Sequence, residues 1–195
     1  MKKAEAVITR AKTDAHAAWL ARGREGAGRL EISDRKINNP QLMSRKLEAA
    51  RLVRVDLEGG HLASARLQDL ELDGCTFRDT NLLQARLQGA AIANSLLLGC
   101  HMALTRGEGL RMMGGSLNGT DLEKAKWPKA QLRRVDCRGV KLAGARLQGA
   151  RFEECDLREA DLSNAELEGV VFVRCDLGDA KLPEDHGATF DGCKL

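Results

Sequence analysis

The chain returns to a large apolar residue at every fifth position. From Ile32 to Leu182, 29 of the 31 positions in this series are large and apolar, and the register never shifts. The segment ARLQG occurs at 85–89 and again at 145–149. Helices repeat about every 3.6 residues and strands about every two, so neither sustains a five-residue series. The chain must therefore build a structure that turns one corner in every five residues.

Each group of five residues has internal order. The residue two before the apolar centre is usually small, and the residue two after it is often glycine, which suits a turn with positive φ. A pentad thus predicts a short extended piece and a corner, with the centre and the small residue facing inward. Four corners close a square, so one coil takes four pentads. The glycines at these predicted corners are Gly59, Gly74, Gly89, Gly99, Gly109, Gly114, Gly119, Gly139, Gly144, Gly149 and Gly169.

Two segments carry a family resemblance. Ala160-Asp161-Leu162-Ser163-Asn164 and Cys155-Asp156-Leu157-Arg158-Glu159 match the motif A-(D/N)-L-x-x, so the chain resembles the pentapeptide-repeat family. The resemblance implies an all-β solenoid, a right-handed quadrilateral β-helix, over residues 47–195. It extends more loosely through an irregular first coil at 29–46. The Asp residues just before the centres belong to this scaffold pattern and are not acid–base pairs.

The N-terminal segment, residues 1–28, is predicted to be an α-helical cap. The terminal coil of a β-helix has an unpaired edge and an open core that need cover. Ile8, Trp19 and Leu20 are expected to press on the first coil. Ala11, Ala15 and Ala18 are expected to complete the apolar stripe, and Gly23 suits a helix stop. A binding role for Trp19 is the alternative.

The C-terminal coils are expected to form a homodimer interface. The five-residue register breaks at 183–187 and resumes with Phe190 and Leu195 as centres. Some members of the family dimerise through their C-terminal coils, and the resemblance implies an interface at Phe172, Phe190 and Leu195.

Two irregularities concern the predicted core. Gly107 lacks the usual large side chain, and Trp127 is oversized on the same side of the square one coil later, so the indole is expected to fill the volume left by Gly107. A small-molecule pocket there is the alternative.

Buried thiols that act as small hydrophobic groups account for the six cysteines, which lack zinc-ligand spacing. A Cys155–Cys175 disulfide is the second interpretation. The chain thus predicts no metal and no cofactor.

Function is expected on the outward columns of side chains. Arg66, Arg86, Arg106, Lys126 and Arg146 follow one another at 20-residue intervals, and we call them the basic column. Their stacked charges would repel unless an anionic partner relieved them. The alternative is a solvated face with acidic neighbours. The absence of stacking aromatics argues against direct nucleic-acid binding on this surface.

A second candidate partner surface is aliphatic. Leu96, Leu98, Leu104 and Met113 fall at outward positions, and we call them the aliphatic cluster. Exposed aliphatic patches commonly mark contact surfaces. A displaced loop near Gly107 that covers them is the alternative.

The sequence favours a non-enzymatic scaffold that binds a protein partner. It contains no nucleophile–base constellation and no phosphate-binding motif.

The resemblance also extends to the Qnr and MfpA type of quinolone-resistance protein, which implies a DNA mimic that binds DNA gyrase or topoisomerase IV. Residues 152–195 carry 12 acidic and 4 basic residues, or −8, whereas the whole chain carries +3. No secretory leader or membrane span is apparent, so a cytoplasmic location is expected.

Overall fold

The structure is a computed structural model, and it describes residues 8–184 and 187–195. One helix precedes a solenoid of short parallel strands. The elements in chain order are α1 (Arg10–Ala21), β1 (Glu31–Asn38), β2 (Arg51–Glu58), β3 (Glu71–Asp73), β4 (Thr76–Arg78), β5 (Ala91–Leu98), β6 (Arg111–Ser116), β7 (Gln131–Arg133), β8 (Arg151–Glu153), β9 (Val171–Val173) and β10 (Thr189–Asp191).

The strands stack in parallel with an offset of 20 residues. One side of the coil contains the ladder β1-β2-β3-β5-β6-β7-β8-β9-β10, and β4 pairs with β2 and β5 on the next side. In this ladder Leu52 pairs with Leu72, and Leu72 pairs with Ile92. Single bridges such as His61–Asn81 continue the pairing on the other sides. The chain is therefore the β-helix that the five-residue period predicts.

The four sides of each coil are named here by their central residues. The first side is centred on Leu52 and its equivalents, the second on Leu57, the third on Leu62 and the fourth on Leu67. All four of these leucines are buried. Every side ends in a corner where φ is positive, and non-glycine residues such as Asn94 also adopt it, with φ 48°. Asparagine tolerates this conformation better than most residues.

Aspartates beside the centres stabilise the corners. The carboxylate of Asp121 accepts a hydrogen bond from the N–H of Glu123 at 3.0 Å, and Asp161 does the same for Ser163 at 3.0 Å. These are Asx-type turns, in which a side chain satisfies a backbone donor two residues ahead. The structural interpretation of the repeated aspartates is thus confirmed for these positions.

The Gly107–Trp127 pair behaves as the sequence predicts. A Cβ on Gly107 would lie 2.8 Å from Trp127 Cδ1, so the indole occupies the space that a larger residue at 107 would need. Trp127 is 2% exposed, and its Nε1 donates a hydrogen bond to Thr105 Oγ1 at 3.0 Å. The buried indole N–H is therefore satisfied.

The N-terminal helix lies on the first coil with Trp19 facing it, but the predicted alanines do not take part in the contact. Thr9 caps α1, and Arg22 precedes Gly23, which has φ 74°. Ala11, Ala15 and Ala18 are exposed, so the predicted alanine stripe is wrong. The residues that face the solenoid are Thr13, His16 and Trp19, which are buried, with Leu20 half-buried and Ile8 packed against the core.

The buried face of the helix contains polar side chains that form hydrogen bonds within the protein. A hydrophobicity pattern therefore does not identify this face. Thr13 Oγ1 donates to the Arg10 carbonyl at 2.9 Å, and His16 Nδ1 accepts from the Leu30 N–H at 2.9 Å. The imidazole of His16 stacks on Trp19 with ring centroids 5.4 Å apart. His16 thus joins the helix to the strand layer. Within the described residues, no helix has the length and hydropathy that a bilayer span requires.

Acid should weaken the contact between α1 and the first coil. Burial lowers the pKa of His16 below its usual 6.5, opposed by the Glu48 carbonyl and carboxylate, while the Arg29 cation also lowers it. The neutral imidazole is favoured in the folded state, so its contribution to stability is complete above the unfolded pKa. It is lost as the pH falls through the lower folded pKa.

We expect the thermal midpoint to decrease more steeply between about pH 7 and pH 5 in the wild type than in His16→Phe. The matched control is His61→Phe, since His61 is exposed on the third side. Equal pH slopes in the wild type and in His16→Phe would contradict this assignment.

The last coil contains 18 residues instead of 20. Val171 pairs with Thr189, and Asp176 bridges to Lys194. Of the break at 183–187, residues 185 and 186 lie outside the described part. Phe172 and Phe190 still stack, with centroids 5.1 Å apart and planes within 6°. The shorter connection therefore leaves the core column continuous.

Candidate interaction surfaces

The basic column is continuous on the fourth side of the solenoid. Parallel bridges link Arg66, Arg86, Arg106, Lys126 and Arg146 in this order, so neighbouring cations are spaced by one strand, about 4.8 Å. The same ladder begins at Lys46, which the sequence reasoning left out, and ends at Glu166. Repetition of the coil thus places charges of one sign in a straight row.

The two ends of the basic column are neutralised, whereas its centre is not. Arg66 Nε lies 2.6 Å from Glu48 Oε1, and Arg146 Nε lies 3.0 Å from Glu166 Oε1. The Arg66 contact is an ion pair whose angle does not suit a hydrogen bond. Within residues 8–184 and 187–195, no ion pair involves the three central cations, which are exposed. These are Arg86, Arg106 and Lys126.

A groove runs beside these three cations. It encloses about 330 Å³ between the basic column and the corner that precedes it. Leu104 lies at that corner with φ 59° and is 39% exposed. The groove is lined by Ser64, Gln84, Arg86, Leu104, Arg106 and Lys126.

The structure divides the predicted aliphatic cluster among different sides. Leu96 and Leu98 flank Leu97 on the second side and are half-buried. Met113 lies on the first side, 60% exposed, beside a shallow groove of about 650 Å³. Leu104 belongs to the groove beside the basic column. The four residues therefore do not form one contact surface, because one coil turns through four sides in 20 residues.

The acidic C-terminal region, residues 152–195, contains many ion pairs. Glu153 and Glu154 contact Arg174 at 3.1 and 2.6 Å, and Glu154 also contacts Arg134 at 2.6 Å. Hydrogen bonds from Arg134 and Arg174 lower the pKa of Glu154 to about 2. Asp156 forms a hydrogen-bonded pair with Arg158 in the same way. Much of the negative charge of this region is thus compensated within the protein.

The cysteines are free thiols, as the first interpretation of the sequence held. Five are buried and Cys193 is partly buried. Burial raises the pKa of Cys100 to about 11, and its Sγ lies 3.6 Å from the Phe77 carbonyl oxygen. A high pKa keeps a thiol protonated and unreactive near neutral pH. These cysteines fill the core.

Other chemistry-bearing side chains are dispersed over the described residues. His101 Nδ1 lies 2.7 Å from Asp121 Oδ2 on the third side, and His61 and Asn81 stack in the same column. No group of three or more His, Cys, Asp or Glu side chains is placed to hold a metal ion in the described part of the chain.

Sequence reasoning found the basic column but missed three features around it. The buried Glu48, which is 7% exposed, gave no signal because it sits where other coils carry solvent-facing residues. The ion pairs at both ends of the basic column depend on how far the side chains reach. The 20-residue spacing in the sequence does not give this information. The groove depends on Leu104, and the available clue was that Ser64, Gln84 and Leu104 follow one another at 20-residue intervals.

The predicted dimer residues occupy different depths at the C-terminal end. Leu195 is 73% exposed and Phe190 is partly buried, whereas Phe172 is fully buried one coil further in, beneath Phe190. Phe190 and Leu195 therefore reach the end surface, and Phe172 supports Phe190 from inside.

Comparisons with known proteins agree with this architecture. The family model described as pentapeptide repeats matches in eight copies, over residues 46–79, 61–97, 116–153, 136–172 and 150–184. No curated protein sequence matches the chain.

Two solved structures share the fold. QnrB1, a plasmid-mediated fluoroquinolone resistance protein, is 20% identical with a TM-score of 0.57, over 85% of this chain and 89% of that one. HetL, a pentapeptide repeat protein involved in heterocyst differentiation regulation in the cyanobacterium Nostoc, is 19% identical with a TM-score of 0.52, over 92% of each chain.

Proposed function

This chain belongs to the pentapeptide-repeat family, and we propose that it is a non-enzymatic, rigid scaffold that binds a protein partner through its basic column. The inward side chains fill a continuous hydrophobic core, so interactions are left to the outward columns. The observation that carries the proposal is the central stretch of uncompensated charge at Arg86, Arg106 and Lys126.

Three adjacent cations at strand spacing repel one another, and a partner with negative charge would relieve this repulsion. A solvated surface normally mixes charges of both signs. The first side follows that rule, since Arg51 pairs with Glu71 and Arg133 with Glu153. The centre of the basic column differs from its own scaffold, which favours an external partner over a solubility role.

Affinity capture from the host lysate tests the proposal. The bait pair is the wild type and the triple variant Arg86→Glu, Arg106→Glu, Lys126→Glu, compared by quantitative mass spectrometry. The matched control is Arg111→Glu, an exposed cation on the first side that is in no ion pair with the described residues. We expect the control to retain the partners that the triple variant loses. Retention of every partner by the triple variant would contradict the proposal.

A second candidate function is a DNA mimic that binds DNA gyrase or topoisomerase IV. The net charge of −8 over residues 152–195 favours it, since a dimer would gather this charge at its centre. Titration into a gyrase supercoiling assay, with and without a gyrase poison, separates the two functions. Inhibition or rescue that survives the triple substitution would favour the mimic, whereas no effect leaves the scaffold proposal standing.

We propose in addition that two copies associate through the C-terminal end. Leu195 is 73% exposed at that end and Phe190 is partly buried, and the exposed apolar end of a solenoid is stabilised when another surface covers it. We expect wild-type protein to have a dimer mass by light scattering and Leu195→Asp to have a monomer mass. Met43→Asp is the matched control, because Met43 is 63% exposed far along the chain. A wild-type monomer mass at every concentration would rule the dimer out.

A further inference from the structure

We infer that the groove beside the basic column binds an acidic peptide segment that carries an aliphatic side chain, with Leu104 as its apolar contact. The inference rests on the proposed function and specifies the partner chemistry at the same site. The groove has cations along one wall and Leu104 in the other, within about 330 Å³. A ligand that satisfies both walls needs carboxylates and an aliphatic group close together.

Leu104 is held in place by the core beneath it. Its N–H donates to the Glu123 carbonyl at 2.9 Å, which fixes the corner. The next residue, Thr105, is fully buried and accepts the hydrogen bond of the Trp127 indole. Leu104 and Arg106 flank Thr105 and therefore project from a rigid base. A preorganised contact loses little entropy on binding.

Leu104 is the exception in its own column. The corresponding corners in neighbouring coils carry Ser64, Gln84 and Lys124, all with positive φ. Those residues are polar, as expected for an exposed corner. A leucine here exposes apolar surface at a corner where the neighbouring coils present polar groups, and an exposed apolar contact beside cations suits a mixed ligand. Ser64 and Gln84 line the same groove and offer a hydroxyl and an amide to a peptide backbone.

The groove suits a peptide better than a nucleic acid. The large aromatic side chains of the described residues lie in the core, in the cap helix or at the C-terminal end, and none lines the groove. A nucleobase would therefore find no ring on which to stack. Two guanidinium groups, those of Arg86 and Arg106, suit carboxylates, with which arginine forms two parallel hydrogen bonds.

Fluorescence anisotropy with two labelled peptides tests the inference on the full chain. In one peptide glutamates surround a single leucine, and in the other serine replaces that leucine. We expect wild-type protein to bind the leucine peptide about tenfold more tightly. Leu104→Ser should abolish this preference and leave the serine peptide unaffected. Arg106→Glu should weaken both peptides at least about tenfold.

Two control variants and a parallel measurement with labelled single-stranded DNA distinguish the possible results. Met113→Ser and Arg111→Glu change an exposed methionine and an exposed cation on the first side, and they should leave both affinities unchanged. Equal affinity for the two peptides would overturn the role of Leu104 while the basic column stands as a binding surface. No binding of either peptide would overturn the proposed function itself. Tighter binding of labelled single-stranded DNA, sensitive to Arg106→Glu only, would overturn the peptide inference.

Discussion

Replacing Trp127 by alanine should lower the free energy of unfolding by about 3–5 kcal/mol. The indole is 2% exposed and fills the space that Gly107 leaves in the neighbouring coil. Truncation to alanine removes this packing and leaves a cavity in the core. It also leaves the Thr105 hydroxyl without its indole donor. Urea unfolding followed by circular dichroism measures the change.

The pair Gly107 and Trp127 offers an internal control for this prediction. Gly107→Leu alone should destabilise the protein by about 1–3 kcal/mol, because its Cβ would lie 2.8 Å from the indole. The double variant Gly107→Leu, Trp127→Leu restores the leucine centres of the neighbouring coils and should recover much of the loss. Additive losses in the double variant would show that the two positions do not share one volume.

Replacing Gly115 by alanine should be the second most damaging single change. Gly115 has φ 88°, and a Cβ there would lie 2.7 Å from the Ser95 backbone nitrogen and nearer still to the Ser95 carbonyl oxygen. The left-handed conformation costs alanine about 1–2 kcal/mol. Overpacking against backbone adds about 1–3 kcal/mol.

The control for Gly115 is Gly119→Ala. Gly119 has φ 64° and no atom within 4 Å of a Cβ position, so it isolates the cost of the backbone conformation. We expect the Gly115 variant to melt at a clearly lower temperature than the Gly119 variant. Equal midpoints for the two variants would show that the second side relaxes around the added methyl group without loss.

The coil was predictable because one five-residue rule governs its core. Centres such as Leu57 and Leu97 lie inward wherever the period places them, and the same count gives the basic column. The helix contact was less predictable, since the buried residues Thr13 and His16 are polar and a hydrophobicity pattern does not indicate them. Gly115 also escaped notice, because its need for glycine comes from the Ser95 backbone in another coil.

The site was predictable only in part for a related reason. The order of Arg86, Arg106 and Lys126 follows from the sequence, but their lack of carboxylate partners depends on where neighbouring side chains reach. The aliphatic cluster shows the opposite error. Its members are close in sequence, yet Leu98 and Met113 lie on different sides because the chain turns a corner every five residues.

The 18-residue final coil shows how this fold tolerates changes in chain length. The solenoid depends on a five-residue register. An insertion of one or two residues within the repeats would move the later apolar centres out of their inward positions. Val171 nevertheless pairs with Thr189, and Phe172 stacks on Phe190, two residues out of register. The two-residue difference falls in the connection between these strands, so the pairing that follows it is unchanged. Length changes should therefore be tolerated in the connections between coils, whereas a change within the repeats can add or remove only whole coils.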